Sequence, residues 1–307
     1  MSGLTHHPFT LRQLQYVVAV ADALSFRKAA ERCGVSQPSL SAQLLQVEDS
    51  LGVRLFERNR RRVLVTPAGQ EVVARAQRVL VVADDVVVAA RRATDPLDGT
   101  LRIGVIPTVA PYLLPSLART FRAAHPHLTT MWIEDKTESL VAALDRGGID
   151  AALFALEADI GDVDHERIAV DPFVLAARPD HPLVVKRGAL RPKDLEDAPV
   201  LLLDDGHCLR DQALSFCKST KANELAFRAT SLATLSHMVA GGAGITLLPR
   251  IAVATEAARA GLGVRAFVAP SPRRTLILAW RRGSPLAAAL RRLARTVRTA
   301  VAKPTAP

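Results

Sequence analysis

Residues 26–69, FRKAAERCGVSQPSLSAQLLQVEDSLGVRLFERNRRRVLVTPAG, decide how the first part of this chain folds. Ser25 precedes FRKAAERC as its N-cap, and Gly34 follows it, free to take the positive φ that ends a helix. Ser36 caps the next segment, QPSLSAQLLQVEDSLG, with Pro38 inside the first turn where its missing N–H costs nothing. Helix, short glycine-containing turn, helix is the helix-turn-helix pattern. Just upstream, TLRQLQYVVAVADAL carries Leu11, Leu14, Val17, Val18 and Ala21 at helical spacing, a first helix for the other two to pack on. Leu40, Leu44, Leu45 and Val47 seat the third helix. Gln37, Pro38, Ser39, Ser41 and Gln43 at its start are then turned outward, where such side chains reach base edges in a major groove. VRLFERNRRRVLVTP adds two short β-prone pieces around Arg58, Arg60, Arg61 and Arg62, a basic wing suited to phosphates. A three-helix bundle with a solvated charge run is the bland alternative. The two features side by side favour double-stranded DNA as the partner.

Beyond the wing, Thr66 caps a fourth helix with Pro67 at its first position, running to about Arg92. Val72, Val73, Ala76, Val79, Leu80, Val82, Val86 and Val87 lie on more than one side of it, so a partner must cover them. TDPLDGT, residues 94–100, reads as a hinge. From LRIGVI onward the pattern alternates strand and helix, which implies parallel sheets with helices on both faces. TESLVAALDRGGIDAAL and SLATLSHMVAGGAGITLL repeat one scheme of apolar helix, glycine cluster and strand. Two such halves leave a cleft at the carboxyl ends of their strands. The fold class is therefore α/β with an all-α-type winged helix-turn-helix at the N-terminus, a long linker helix and a two-lobed α/β domain. The expected boundaries are 1–66, 67–93, 94–100 and 101–307.

The 307 residues carry a formal net charge of +10, which suits a polyanionic partner. MSGLTHHPFTLRQL has no basic-then-apolar signal pattern, and VLVVADDVVVAA is broken by Asp84 and Asp85, so no membrane span is expected. Three cysteines are too few for a secreted disulfide scaffold, and a cytoplasmic location is expected.

Two of those cysteines bracket HCLRDQALSFC, residues 207–217. Asp204, Asp205 and Gly206 form a turn, and good helix formers follow. A helix starting here puts Cys208 at its positive end beside His207 and Arg210, a setting that favours the reactive thiolate. Cys217 lies nine residues on. An intact helix separates the two by about 13 Å axially and on opposite faces, whereas a disulfide needs Cα atoms within about 7 Å. Joining them therefore requires the helix to unwind, which turns a chemical event into a change of shape. The alternatives are two inert thiols, or metal binding by His207, Cys208, Cys217 and His237. The latter is disfavoured because no CxxC or HxxxH unit is present, and neither a metal nor a cofactor is expected.

The stretch 26–69 resembles the N-terminal signature of the LysR-type transcriptional regulators. LLLDDGHCLRDQALSFC, GVIPTVAPYLLP, FRATSLATL and MVAGGAGITLLP further resemble the hydrogen-peroxide-sensing branch of that family. The resemblance implies a periplasmic-binding-protein-like sensor domain and an oligomer built as a dimer of dimers. It implies that Cys208 is the peroxidatic cysteine and Cys217 the resolving one, joined reversibly in an intramolecular disulfide. Thr108, His207, Thr137, Asp211 and Arg281 would hold and polarise the peroxide. Arg282 stands where the family has proline, which puts the loop beside Arg281 in question. Promoter DNA, hydrogen peroxide, a thioredoxin- or glutaredoxin-type reductant and RNA polymerase are the implied partners. The implied function is a peroxide-responsive transcription factor, an activator of oxidative-stress genes. One rival is a regulator of the same family whose cleft takes an organic effector. The other, a thiol peroxidase, is disfavoured because an enzyme gains nothing from a DNA-reading head.

Overall fold

The computed structural model describes residues 7–59, 62–91, 97, 99–186, 188–220 and 222–302; the side chains at 58, 59, 62, 88–91 and 217–219 lie outside that description. The chain divides into two compact units, residues 1–93 and 94–307.

In the first unit, α1 (Leu11–Ala23) opens on a capping box in which Thr10 and Gln13 satisfy each other's backbone N–H groups. Ser25 caps α2 (Phe26–Cys33), and Gly34 ends it at φ +66°. Ser36 caps α3 (Gln37–Leu51). Val17, Val20, Ala29, Leu40, Leu44, Val47 and Leu55 are wholly buried between these helices. At roughly 1.5–3 kcal/mol for each large apolar side chain, this cluster drives the unit's folding. The wing strands β1 (Phe56–Asn59) and β2 (Arg62–Val65) pair antiparallel. Glu48 ties wing to helix: its buried carboxylate accepts from the backbone N–H of Leu55 at 2.8 Å and of Phe56 at 3.1 Å, and pairs with Arg54 at 3.1 Å. Thr66 accepts from Gly69 N–H at 2.9 Å at the head of α4 (Pro67–Arg91). Val82 and Val86 on α4 are 58% and 68% exposed.

The second unit holds β3 (Gly99–Val105), α5 (Ala110–Ala124), β4 (Leu128–Glu134), α6 (Thr137–Asp145), β5 (Ala151–Ala155) and β6 (Val163–Ala177). There follow α7 (Pro182–Val185), β7 (Pro199–Leu203), α8 (Cys208–Thr220), β8 (Asn223–Ala229), α9 (Leu232–Ala240) and β9 (Thr246–Pro249). Next come α10 (Arg250–Ala252), a π-helical turn (Val253–Ala257), α11 (Ala258–Ala260), β10 (Gly263–Ala266), β11 (Arg273–Arg281) and α12 (Ala287–Ala302). One seven-stranded sheet runs in the order β10-β6-β11-β5-β3-β4, with β9 also on β6, and β7 pairs with β8 separately.

The expectation of parallel sheets holds only in part. β3 is parallel to β4 and β5, and β7 to β8, but β11 runs antiparallel to β5 and β6, and β9 and β10 run antiparallel to β6. The reason lies in β6. Its first half, VDHERIAVD, is rich in charged side chains and stays largely half exposed, as an antiparallel strand can, and only FVLAA is buried throughout. The fifteen-residue strand thus starts in one lobe and ends in the other. In the second lobe β7 splits its side chains by alternation: Leu201 and Leu203 join Leu232, Leu235 and Val239 of α9, while Val200 and Leu202 join Ile245 and Phe267 on the other face. In the first lobe Phe121 stacks on Trp132 at 5.7 Å. No helix among the described residues is long and apolar enough to cross a membrane.

Candidate functional site

Three helices of the second unit begin around one small, tightly closed recess, lined by Ile106, Pro107, Thr108, Lys136, Thr137, Gly206, His207 and Cys208. Thr108 lies two residues before α5, Thr137 opens α6 and Cys208 opens α8. Each helix directs the positive end of its dipole there, so the recess favours electron-rich sulfur or oxygen.

Cys208 is buried, at 7% exposure, and stands as a free thiol. His207 beside it is buried too. Burial first, and the Lys136 ammonium second, hold its imidazole below the ordinary range against a weaker pull from Asp204. The ring is therefore neutral at pH 7 and can accept a proton. The Thr108 hydroxyl oxygen accepts from Arg274 Nη1 at 2.7 Å, and its carbonyl from Nη2 at 3.0 Å. With an acceptor position occupied, the Thr108 O–H remains able to donate into the recess. Arg274, wholly buried, pairs with Asp171 at 3.0 Å, which also accepts from Ile251 N–H at 3.2 Å. Thr137 Oγ1 is buried without a hydrogen-bond partner. A compact site thus presents one sulfur nucleophile, two hydroxyls, a neutral imidazole and an ammonium group. The recess is closed down around these groups, with no room as it stands for a water-sized molecule, unlike the several hundred cubic ångströms of ordinary organic ligand pockets.

Of the residues that the sequence suggested, Thr108, Thr137, His207 and Cys208 meet here. Two do not. Asp211 is exposed and lines a different, open groove with Glu157, Gln212 and Arg273. Arg281 sits seven residues along β11 from Arg274, about 23 Å away in an extended strand. The arginine that meets Thr108 is Arg274, which the sequence reading overlooked, as it did Lys136. The Cys217 backbone belongs to α8, but its side chain lies outside the described residues. On the first unit Gln37, Pro38 and Ser39 are exposed at the start of α3, while Ser41 and Gln43 are half-buried. Gln43 is turned inward in part, accepting from Gln13 Nε2 at 3.0 Å. Arg60 and Arg61, and the side chains of Arg58 and Arg62, lie outside the described residues.

The helix-turn-helix unit and the bilobed unit each match a known family. Residues 11–70 match the bacterial regulatory helix-turn-helix protein of the lysR family, and residues 94–302 match the LysR substrate binding domain. The chain belongs to the LysR family of bacterial transcription regulators, which are not enzymes. Within that family it is 46% identical over 286 residues to a "Probable hydrogen peroxide-inducible genes activator" of Mycobacterium avium, covering 92% of this chain and 91% of that one. Full-length OxyR from Pseudomonas aeruginosa, a cysteine-to-aspartate variant, superposes with a TM-score of 0.77 at 37% identity over 95% of this chain and 96% of that one. A cysteine-to-serine variant of Corynebacterium glutamicum OxyR with hydrogen peroxide bound gives 0.66 at 35% identity, over 96% and 93%.

Proposed function

We propose that this chain is a hydrogen-peroxide-responsive transcription factor of the OxyR type, an activator of oxidative-stress genes switched by a reversible disulfide between Cys208 and Cys217. The observation that carries the reading is the recess itself: a buried thiol at a helix start, lining the same closed recess as a buried hydroxyl that no protein group satisfies. The thiolate of Cys208 attacks one peroxide oxygen, the O–O bond breaks, and hydroxide leaves and takes a proton to become water. The resulting sulfenic acid is attacked by the Cys217 thiolate, and a second water departs as the disulfide forms. Two thiols lose two electrons and one peroxide is reduced to two waters. Thr108 and Thr137 donate to the peroxide oxygens, and neutral His207 accepts the thiol proton.

Joining the sulfurs dismantles the start of α8, and the new shape alters how copies of the regulatory unit meet. Residues 1–66 then serve as the DNA-binding domain, 67–93 as a dimerisation helix, 94–100 as a hinge and 101–307 as the sensor. The exposed end of α3 reads bases and the Arg58–Arg62 cluster holds phosphates, in a cytoplasmic dimer of dimers that engages RNA polymerase. A thioredoxin- or glutaredoxin-type protein restores the thiols. The test is mass spectrometry of peroxide-treated protein together with the footprint on promoter DNA before and after treatment. A 208–217 crosslink and an altered footprint are expected. A Cys217→Ser variant that responds unchanged would refute the mechanism.

A further inference from the structure

One cationic neighbour of Cys208 has no part in the chemistry above. Lys136 is the residue on which α6 begins, and it lines the same recess. Its own backbone N–H is fixed by Asp135 Oδ1 at 2.7 Å. The side chain crosses from the first lobe to the turn before α8, where Nζ donates to the carbonyl of Asp205 at 2.7 Å. It packs on Gly206, where a Cβ would stand 3.1 Å from Lys136 Cδ and 3.2 Å from Nζ. Gly206 takes φ +83°, so both the conformation and the space at this turn call for glycine.

We infer that Lys136 is a positioning residue of the proposed peroxide site, setting how fast Cys208 reacts by holding an ammonium charge and the Asp205–Cys208 turn against the sulfur. The inference rests on the function proposed above. The charged groups around the recess come from every element that builds it, and most neutralise one another. Arg210 is engaged by Asp205 at 2.8 Å and Glu224 at 2.8 Å, and Arg274 by Asp171. His207 carries no charge at neutral pH, and Asp204 adds a negative one. Lys136 is held by a carbonyl rather than a carboxylate, so no acidic partner among the described contacts neutralises it beside the recess.

The experiment uses the full-length reduced protein, with alkylation of the Cys208 peptide by iodoacetamide followed by mass spectrometry from pH 5 to 9 and repeated with hydrogen peroxide. Lys136→Gln is expected to slow the reaction at pH 7 by about five-fold or more. Lys136→Arg keeps the charge and is expected to stay near wild type. The His207 imidazole, followed by NMR, is expected to titrate at higher pH in Lys136→Gln and to stay in place in Lys136→Arg, which separates the charge from packing. Should Lys136→Gln fold poorly, a salt series on the unaltered chain takes its place: screening must slow alkylation at pH 7, and indifference to salt overturns the inference. If wild-type Cys208 reacts with peroxide and Lys136→Gln is indistinguishable from it, this inference alone fails. If wild-type Cys208 is inert to peroxide, the proposed function fails with it.

Discussion

The hydroxyl of Thr137 is buried without a protein partner, at a desolvation cost of about 1–3 kcal/mol. A fold tolerates that where the group has a ligand to meet. Thr137→Val is therefore expected to leave the melting temperature level or higher, while slowing peroxide oxidation of Cys208 by about ten-fold, measured by quenched-flow mass spectrometry. Arg274 behaves in the opposite way, because its guanidinium is engaged by Asp171 and by both the hydroxyl and the carbonyl of Thr108, and Asp171 depends on it. Arg274→Met strands a buried carboxylate and is expected to cost about 3–5 kcal/mol in urea unfolding. His207 gives a pH signature. Its imidazole is held below the usual value, so the folded state binds its proton less well than the unfolded chain does. Stability is present above the ordinary histidine range and drains away as the pH falls below about 6.5. His207→Gln is expected to lose that part of the acid sensitivity, seen as a smaller drop in melting temperature between pH 7 and 5.5.

At the scale of elements, α8 is the part with two obligations. Its first turn is clamped by Arg210, 6% exposed, to Asp205, Glu224 and the Leu203 carbonyl. The proposed disulfide cannot form with that turn intact, because the helix holds positions 208 and 217 about 13 Å apart along its axis. Trypsin is accordingly expected to cut after Arg210 slowly in the reduced protein and much faster after peroxide treatment, with no acceleration in Cys217→Ser. In the first unit the wing depends on one carboxylate. Glu48→Ala leaves the Leu55 and Phe56 amides without their acceptor and is expected to cost about 2–3 kcal/mol and weaken DNA binding, read by calorimetry and by fluorescence anisotropy. The caps at Ser25 and Ser36 and the turn at Gly34 were legible in the sequence because their partners lie within three residues. Glu48 was not, because its partners belong to a strand and no local period marks a buried acid.

Across the whole molecule, the exposed valines of α4 are where the proposed dimer would close. Val82→Glu with Val86→Glu is expected to shift the protein toward monomer in sedimentation equilibrium and to lower operator affinity by about a hundred-fold or more. The class of fold and the neighbourhood of Cys208 could be read from the amino acids, since repeated helix–glycine–strand units and a capped cysteine are local patterns. What escaped reading is what long-range pairing decides. Arg274 and Arg281 stand on one strand, RRTLILAWR, and only its register against β6 determines which arginine meets Thr108, 166 residues away. Lys136 and Asp205 are likewise 69 residues apart. The antiparallel course of β6 was missed for the same reason, and it has a mechanical corollary. Apart from Ile168 at a bulge, the residues of this strand are stitched to β11 in one lobe and to β9 and β10 in the other, so the halves share a continuous beam instead of a slack joint. Jaw-like swinging would shear a ladder of backbone hydrogen bonds, and a signal born in the crevice must instead leave through the outline of one lobe.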